Sequence, residues 1–289
     1  MTNSLPFTRE FWCTLKQGID QNKTAKCLFA PLVKESCCAH ESFDIAYGDD
    51  PRQKLDIFHS EDGIGGKPLV LYVPGGGFTG GDKRQSGGFF ENVGRFFGHR
   101  GFVAATMNYR LAPLFQWPAA ALDIASAVDW LKQHAGDFSF DPQKIVLIGH
   151  SAGATHCGSY IFDPDIKGSE SVAGAVLCSG LYVLRRDELQ SNAIAYFGND
   201  EMDLYHRSST AHVAGSRIPV MLACAEEDLP HLAASTFELG TALAKRDKRP
   251  PHLVWLEGHN HYSTVCSIGT ADERLSDAIM SFCSTVLLR

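Results

Sequence analysis

The sequence predicts an α/β fold: a mostly parallel, eight-stranded sheet flanked by helices. Two observations carry that prediction. From about residue 43 onward, apolar segments of strand length alternate with amphipathic segments of helix length, the pattern of crossover units on a parallel sheet. The 289 residues contain no linker-like stretch, internal repeat or low-complexity tract, so they read as one domain. Hydrophobic residues at 44 % and charged residues at 20 % give that domain a core large enough to need no covalent staples.

Candidate strands fall at 43–47, 55–59, 68–73, 103–107, 144–148, 174–178, 220–225 and 252–256. Between the fourth and fifth, Ala121, Ile124, Val128 and Leu131 line one face of a helix that Pro118 can start, because proline is tolerated where the amide has no helical partner. Residues 152–162 run as a helix directly after the fifth strand. Leu275, Ile279, Phe282 and Val286 line the last helix, for which Thr270 and Glu273 offer a capping box. Two stretches mix polar and aromatic residues without a clear period: 1–42, read as an N-terminal lid or cap segment, and 184–217, read as a second lid element over a main domain at 43–289.

Composition excludes several classes of partner. A formal net charge of −7, with no run of Lys or Arg, argues against nucleic acid and favours uncharged small molecules. The first 16 residues lack the charged, apolar, small layout of a secretory signal, and no apolar stretch approaches the roughly 20 residues of a membrane helix. Nine scattered cysteines suit free thiols in a reducing cytoplasm. Cys37 and Cys38 lie close to His40, but no second ligand pair follows at zinc-like spacing, so no metal is expected.

The chemistry is concentrated in Gly149-His150-Ser151-Ala152-Gly153, which follows the apolar run 145–148 and spells Gly-x-Ser-x-Gly, a nucleophile elbow. Small residues flank the serine because the chain turns from strand to helix within one residue. A serine hydroxyl is a poor nucleophile near neutral pH, so it needs a base and an acid side chain that orients the base. After 220–225 come Glu226, Glu227 and Asp228; after 252–256 come Glu257, Gly258, His259, Asn260 and His261. Both clusters land at carboxyl ends of strands, where ligands bind in open α/β sheets. Asp228 is preferred because it sits far enough past its strand to turn toward the histidine loop. His261 is preferred over His259 for its flexible approach through Gly258 and Asn260. The two histidines lack a third metal ligand, and His150 takes a flanking, substrate-side role. An oxyanion needs donors, and the amides of Gly76 and Gly77, in the run Pro74 to Phe78, stand clear of side chains. Ala152 adds a third amide at a helix start, where the dipole favours negative charge. No dinucleotide or phosphate-cradle motif competes for these glycines.

Together the Gly75–Phe78 loop, the stretch Asn108-Tyr109-Arg110-Leu111-Ala112-Pro113, the elbow, Asp228 and the Gly258–His261 loop resemble α/β-hydrolases of the hormone-sensitive-lipase-like esterase group. The resemblance implies an α/β-hydrolase fold from about Asp44 to the end, a Ser151, His261, Asp228 triad, an oxyanion hole of Gly76, Gly77 and Ala152, and a bracing role for Tyr109 to Pro113. It departs at Pro74, where that group usually has histidine, and at His150, where an acidic residue is more frequent. Elbows of the Gly-His-Ser-Ala-Gly kind also resemble arylformamidases and feruloyl-esterase-like hydrolases. The leading expectation is therefore a carboxylic-ester hydrolase without a cofactor, acting on short-chain or aromatic esters. A formamidase or amidase, and a non-catalytic binding protein on the same fold, are the alternatives. Phe78, Trp117, Tyr196, Phe197 and Tyr205, with Phe11 and Trp12 from the amino-terminal segment, are candidates to line an apolar pocket. A homodimer formed through an exposed helix or strand near the sheet edge is compatible with the sequence.

Overall fold

A computed structural model describes residues 7–33, 38–60, 65–166 and 171–288. Every predicted strand forms: His40–Ala46 (β1), Lys54–His59 (β2), Lys67–Val73 (β3), Val103–Met107 (β4), Phe140–His150 (β5), Gly174–Cys178 (β6), Val220–Glu227 (β7) and His252–Asn260 (β8). They make one sheet in the order β1-β2-β4-β3-β5-β6-β7-β8. β2 pairs antiparallel with both β1 and β4, and the remaining neighbours are parallel. The helices are Arg9–Gln17 (α1), Gln21–Phe29 (α2), Glu91–His99 (α3), Ala119–Gln133 (α4), Ala152–Phe162 (α5), Ser191–Phe197 (α6), Glu201–Arg207 (α7), Ser209–His212 (α8), Pro230–Asp247 (α9), Ser263–Cys266 (α10) and Arg274–Val286 (α11).

The inner strands β3 to β6 read as apolar runs because helices cover both faces of the sheet. Successive side chains point to opposite faces, so β3 divides its own residues. Leu69, Leu71 and Val73 join a core with Ile124 and Val128 of α4 and Cys157 of α5. Val70 and Tyr72 join a second core with Phe97 of α3 and Ile279 of α11. β5 repeats the split, with Ile145 and Leu147 on the first face and Val146 and Ile148 on the second. A third, smaller cluster ties the amino-terminal helices to the body: Leu15, Ala25 and Phe29 pack with Phe89 and Cys266.

The differences from expectation have local causes. β1 begins at His40 rather than 43, because an exposed edge strand has no need of an apolar run and its residues are largely solvent-facing. β5 begins at Phe140, where Lys67 pairs with Phe140 across a register shift before the regular ladder starts at Leu69. β7 and β8 run on to Glu227 and Asn260, so the acidic and histidine clusters occupy strand ends as well as the loops beyond them. Pro118 precedes α4 as its N-cap residue. The expected capping box of the last helix is absent. Glu273 is the N-cap of α11 without a side-chain cap, and the Thr270 hydroxyl instead donates to the Ser267 carbonyl at 2.7 Å and accepts the Asp272 N–H at 3.1 Å.

Candidate active site

The elbow forms where β5 ends and α5 begins. Ser151 sits at φ 56°, ψ −126°, a conformation that side-chain-bearing residues rarely adopt and that only well-packed surroundings maintain. The glycines around it are required by close approach rather than by flexibility. A Cβ on Gly153 would come within 2.1 Å of the Val73 carbonyl oxygen, and one on Gly149 within 2.6 Å of the Ala154 Cα. The helix start is thereby pressed onto the neighbouring strand, and the Ser151 hydroxyl is turned into the open.

Three loops at the carboxyl edge bring the predicted residues together. The Ser151 Oγ lies 2.9 Å from His261 Nε2, and His261 Nδ1 lies 2.8 Å from Asp228 Oδ1. Asp228, an acceptor only when ionised, fixes the tautomer: Nδ1–H donates to it, leaving Nε2 to accept from the serine. Burial pulls the Asp228 pKa upward, but the hydrogen bonds and charge of His261 and a bond from Ser179 outweigh it, so the carboxyl is held below its ordinary range. Asp228 Oδ1 also accepts the Leu229 N–H at 2.8 Å, and the Ser179 hydroxyl donates to Oδ2. Glu226 and Glu227 are turned away and pair with Lys16 of α1 at 3.2 and 2.9 Å.

His150 and His259 take other positions. The His150 Nε2–H donates to the His261 carbonyl at 2.9 Å, its ring lies against that of His261, and the Thr264 hydroxyl donates to the same carbonyl. Burial, followed by the nearby His261, pushes the His150 pKa down to about 3, so this ring is neutral. His259 sits outside the serine's reach, bonded to Ser263 Oγ at 2.9 Å and Asp272 Oδ2 at 2.8 Å.

The glycine loop lies directly over the serine. Gly75, Gly76, Gly77 and Ala152 all border a cavity of about 400 Å³ that also contains Ser151 and His261. Among the described residues, no hydrogen bond engages the backbone N–H of Gly76, Gly77 or Ala152. The loop is held by other groups: Gly80 N–H to the Gly76 carbonyl at 3.0 Å, Asn192 Nδ2 to the Gly77 carbonyl at 3.0 Å, and the Tyr109 hydroxyl to the Pro74 carbonyl at 2.8 Å. Tyr109 thus supports the stretch where Pro74 replaces histidine. Behind it Arg110 grips Asp123 at 2.6 Å.

The expected pocket wall needs correction. Phe78 borders the cavity, but Trp117, Tyr196 and Phe197 do not. Tyr196 and Phe197 are buried beneath Phe78, stacked on it at 5.5 Å and edge-on at 5.3 Å, and the Tyr196 hydroxyl accepts the Ala120 N–H. Trp117 packs half-buried against the same core. These aromatics carry the glycine loop from behind, a role their composition alone cannot distinguish from lining. Tyr205 is 61 % exposed and borders a different surface cavity, Trp12 packs on Gly258 and His259, and Phe11 belongs to the amino-terminal cluster. The wall is instead more polar than expected, with Asn22, Lys26, Gln85, Glu188, Gln190, Asn192, His231 and Tyr262. Sequence reasoning missed Ser179, Thr264 and Asn192 altogether; each is a small polar residue whose role exists only through a partner far away in the chain.

No group of three or more His, Cys, Asp or Glu side chains that could hold a metal occurs among the described residues, and Cys37 lies outside them. No described helix is long and apolar enough to cross a membrane.

Solved structures share this architecture. A truncated carbohydrate esterase from gut microbiota superposes with a TM-score of 0.74 at 14 % identity, covering 88 % of this chain and 99 % of its own. An esterase from the archaeon Pyrobaculum calidifontis gives 0.70 at 21 % identity, covering 92 % and 89 %. The chain has the α/β-hydrolase fold. The profile of the BD-FAE family matches residues 55–159, a span that includes the glycine loop and the elbow and stops before Asp228 and His261. That of a family of unknown function, DUF1749, matches 120–202. Among curated relatives, esterase LipC of Mycobacterium tuberculosis is 33 % identical over 110 residues, which are 38 % of this chain and 27 % of LipC. The isoprenylcysteine alpha-carbonyl methylesterase ICME of Arabidopsis thaliana is 25 % identical over 228 residues, 77 % of this chain and 49 % of ICME. The chain thus spans about half the length, or less, of the curated relatives it matches.

Proposed function

We propose that this α/β-hydrolase cleaves carboxylic esters through an acyl-enzyme on Ser151. The observation that carries the reading is the unbroken chain Ser151 Oγ, His261, Asp228, opening into a cavity bordered by three unengaged amides. Ser151 Oγ attacks the ester carbonyl as His261 Nε2 takes its proton, and Asp228 stabilises the imidazolium through Nδ1–H. The oxyanion is received by the N–H groups of Gly76, Gly77 and Ala152, each donor of this kind being worth roughly 10² to 10³ in rate. His261 then returns the proton to the departing alkoxide. Water, deprotonated by the same ring, attacks the acyl carbon, and collapse of the second intermediate frees the acid and restores Ser151.

Esterases and a methylesterase among the similar proteins support an ester over other acyl groups. A cavity of about 400 Å³ suits a short acyl chain or a single aromatic ring. Asn22 and Lys26 from the amino-terminal segment and Glu188, Leu189, Gln190, Asn192 and Ala193 from the 184–217 stretch border that cavity, which supports reading both as cap elements. The free thiols of the described cysteines fit a cytoplasmic setting. The test is turnover of p-nitrophenyl acetate, butyrate and octanoate beside N-formylkynurenine, with Ser151→Ala as control. Fast cleavage of the short esters, lost in the control, supports the reading. Predominant deformylation would move the substrate class to formamides, and full activity in the control would remove Ser151 from the mechanism.

A further inference from the structure

The cavity that holds Ser151 carries a cation that the ester reading does not use. Lys26, on α2, borders it, and its Nζ donates to Gln85 Oε1 at 2.9 Å. No carboxylate lies within ion-pair distance of Lys26 among the described residues. Glutamine leaves the charge uncompensated, and with its oxygen taken by the lysine its Nε2 donors are directed elsewhere. Asn22, one helical turn before Lys26, and Tyr262, next in the chain to His261, border the same cavity; no described residue hydrogen-bonds their side-chain polar groups, and the Asp20 carboxylate lies within electrostatic reach of Tyr262. The carboxylate that shares the wall, Glu188, stands 3.6 Å from Arg185, a guanidinium that binds Glu238 more closely, at 2.9 and 2.6 Å.

This patch therefore presents unengaged donors and one unpaired positive charge inside a concavity, where low-dielectric walls focus the field on a ligand. A neutral acyl chain uses none of it. We propose that Lys26 and Gln85, with Asn22 and Tyr262 beside them, form a subsite for a carboxylate carried by the substrate. The proposal rests on the ester-hydrolase reading and narrows its substrate class to esters bearing an acid group. It also reverses what the overall charge of −7 suggests, because binding responds to the local field of the cleft rather than to the sum over the surface.

The test compares matched pairs on the full chain. Monomethyl succinate against methyl valerate, followed by acid release, places the charge on the acyl side; 4-carboxyphenyl acetate against 4-methylphenyl acetate places it on the alcohol side. For each pair the ratio of kcat/KM, charged over neutral, is measured in the natural protein, in Lys26→Met and in Lys26→Arg. The ratio is expected to fall about tenfold in Lys26→Met for one pair, mainly through KM, and to survive in Lys26→Arg. The pair that responds tells which side of the ester carries the acid. Added salt should weaken the preference as well. A ratio unchanged by Lys26→Met in both pairs overturns the subsite, whatever the neutral esters do. If no ester is turned over, the ester reading fails separately. The subsite is then judged by calorimetric titration of Ser151→Ala, with and without Lys26→Met, using the succinate monoester. Binding about tenfold weaker in the double variant sustains it, and equal binding ends it.

Discussion

Two Ser-His-Asp clusters lie side by side in this molecule, their histidines two residues apart in the chain, and only one of the two serines borders the cavity. Ser151, His261 and Asp228 are joined at 2.9 and 2.8 Å; Ser263, His259 and Asp272 are joined at the same two distances. The differences lie in what surrounds them. Ser151 borders a cavity and faces unengaged amides, whereas Ser263 is fully buried, and its Oγ accepts the Asn260 N–H at 3.0 Å. Asp228 receives neutral donors from Ser179 and Leu229, whereas Asp272 is clamped by the Arg274 guanidinium at 2.6 Å. Burial pulls the Asp272 pKa upward, but the bonds from Arg274 and His259 reverse it and hold the carboxyl well below its ordinary range. The second cluster closes the histidine loop; the first uses the geometry that closure provides. Distances within a triad therefore identify a catalytic site only together with access and a place for developing charge.

The sharpest way to break the comparison is to remove each serine. Ser151→Ala should lower kcat by about 10⁴ to 10⁶. Ser263→Ala should retain labelling by a fluorophosphonate probe at Ser151 while losing stability on the order of 1 to 3 kcal/mol, from a buried amide left without its partner. Peptide mapping of the label decides: a label on Ser263 would make the second cluster reactive. Removing the acids comes next. Asp228→Asn should lower kcat by about 10⁴ with little change in melting temperature, since it spoils the tautomer more than the packing. Asp272→Asn should reverse that balance, lowering stability on the order of 2 kcal/mol.

Smaller effects sharpen how the Ser151 cluster is held. Ser179→Ala removes one donor to Asp228 and should lower kcat about tenfold with KM nearly constant. An unchanged kcat would reduce Ser179 to packing. Acid sensitivity gives the finest distinction. Burial alone pushes the His156 pKa down to about 3, and both its ring nitrogens lack partners. A histidine that must stay neutral when folded takes up its proton mainly in the unfolded chain. The stability it supports is thus complete above the unfolded pKa of roughly 6.5 and is lost as pH falls from there toward about 3. His156→Leu should flatten the decline of melting temperature between pH 6.5 and 4, while the triad, which His156 does not touch, keeps its pH profile.

Most of the fold was legible because each strand announces itself locally. β4 and β6 were placed to the residue, since a strand buried on both faces is a bounded apolar run. The exposed edge strand β1 and the bent start of β5 gave weaker signals, because solvent-facing and irregular backbone needs no particular side chain. The elbow and the glycine loop were legible for the same kind of reason, because backbone strain and close approach demand small residues at fixed positions, whereas Asp228 and His261 were read from their places beyond the ends of two strands. Trp117, Tyr196 and Phe197 were misplaced because an aromatic ring behind a wall and one facing the ligand have the same composition.

By itself, then, the sequence determined the layer architecture and the elbow at Ser151, through constraints acting over a few neighbouring residues. Tertiary structure decided that Ser179 braces Asp228, that Ser263 stays buried, and that the pocket wall is polar and holds Lys26. Those outcomes depend on where chain ends distant in sequence converge, and no local pattern of side chains encodes that convergence.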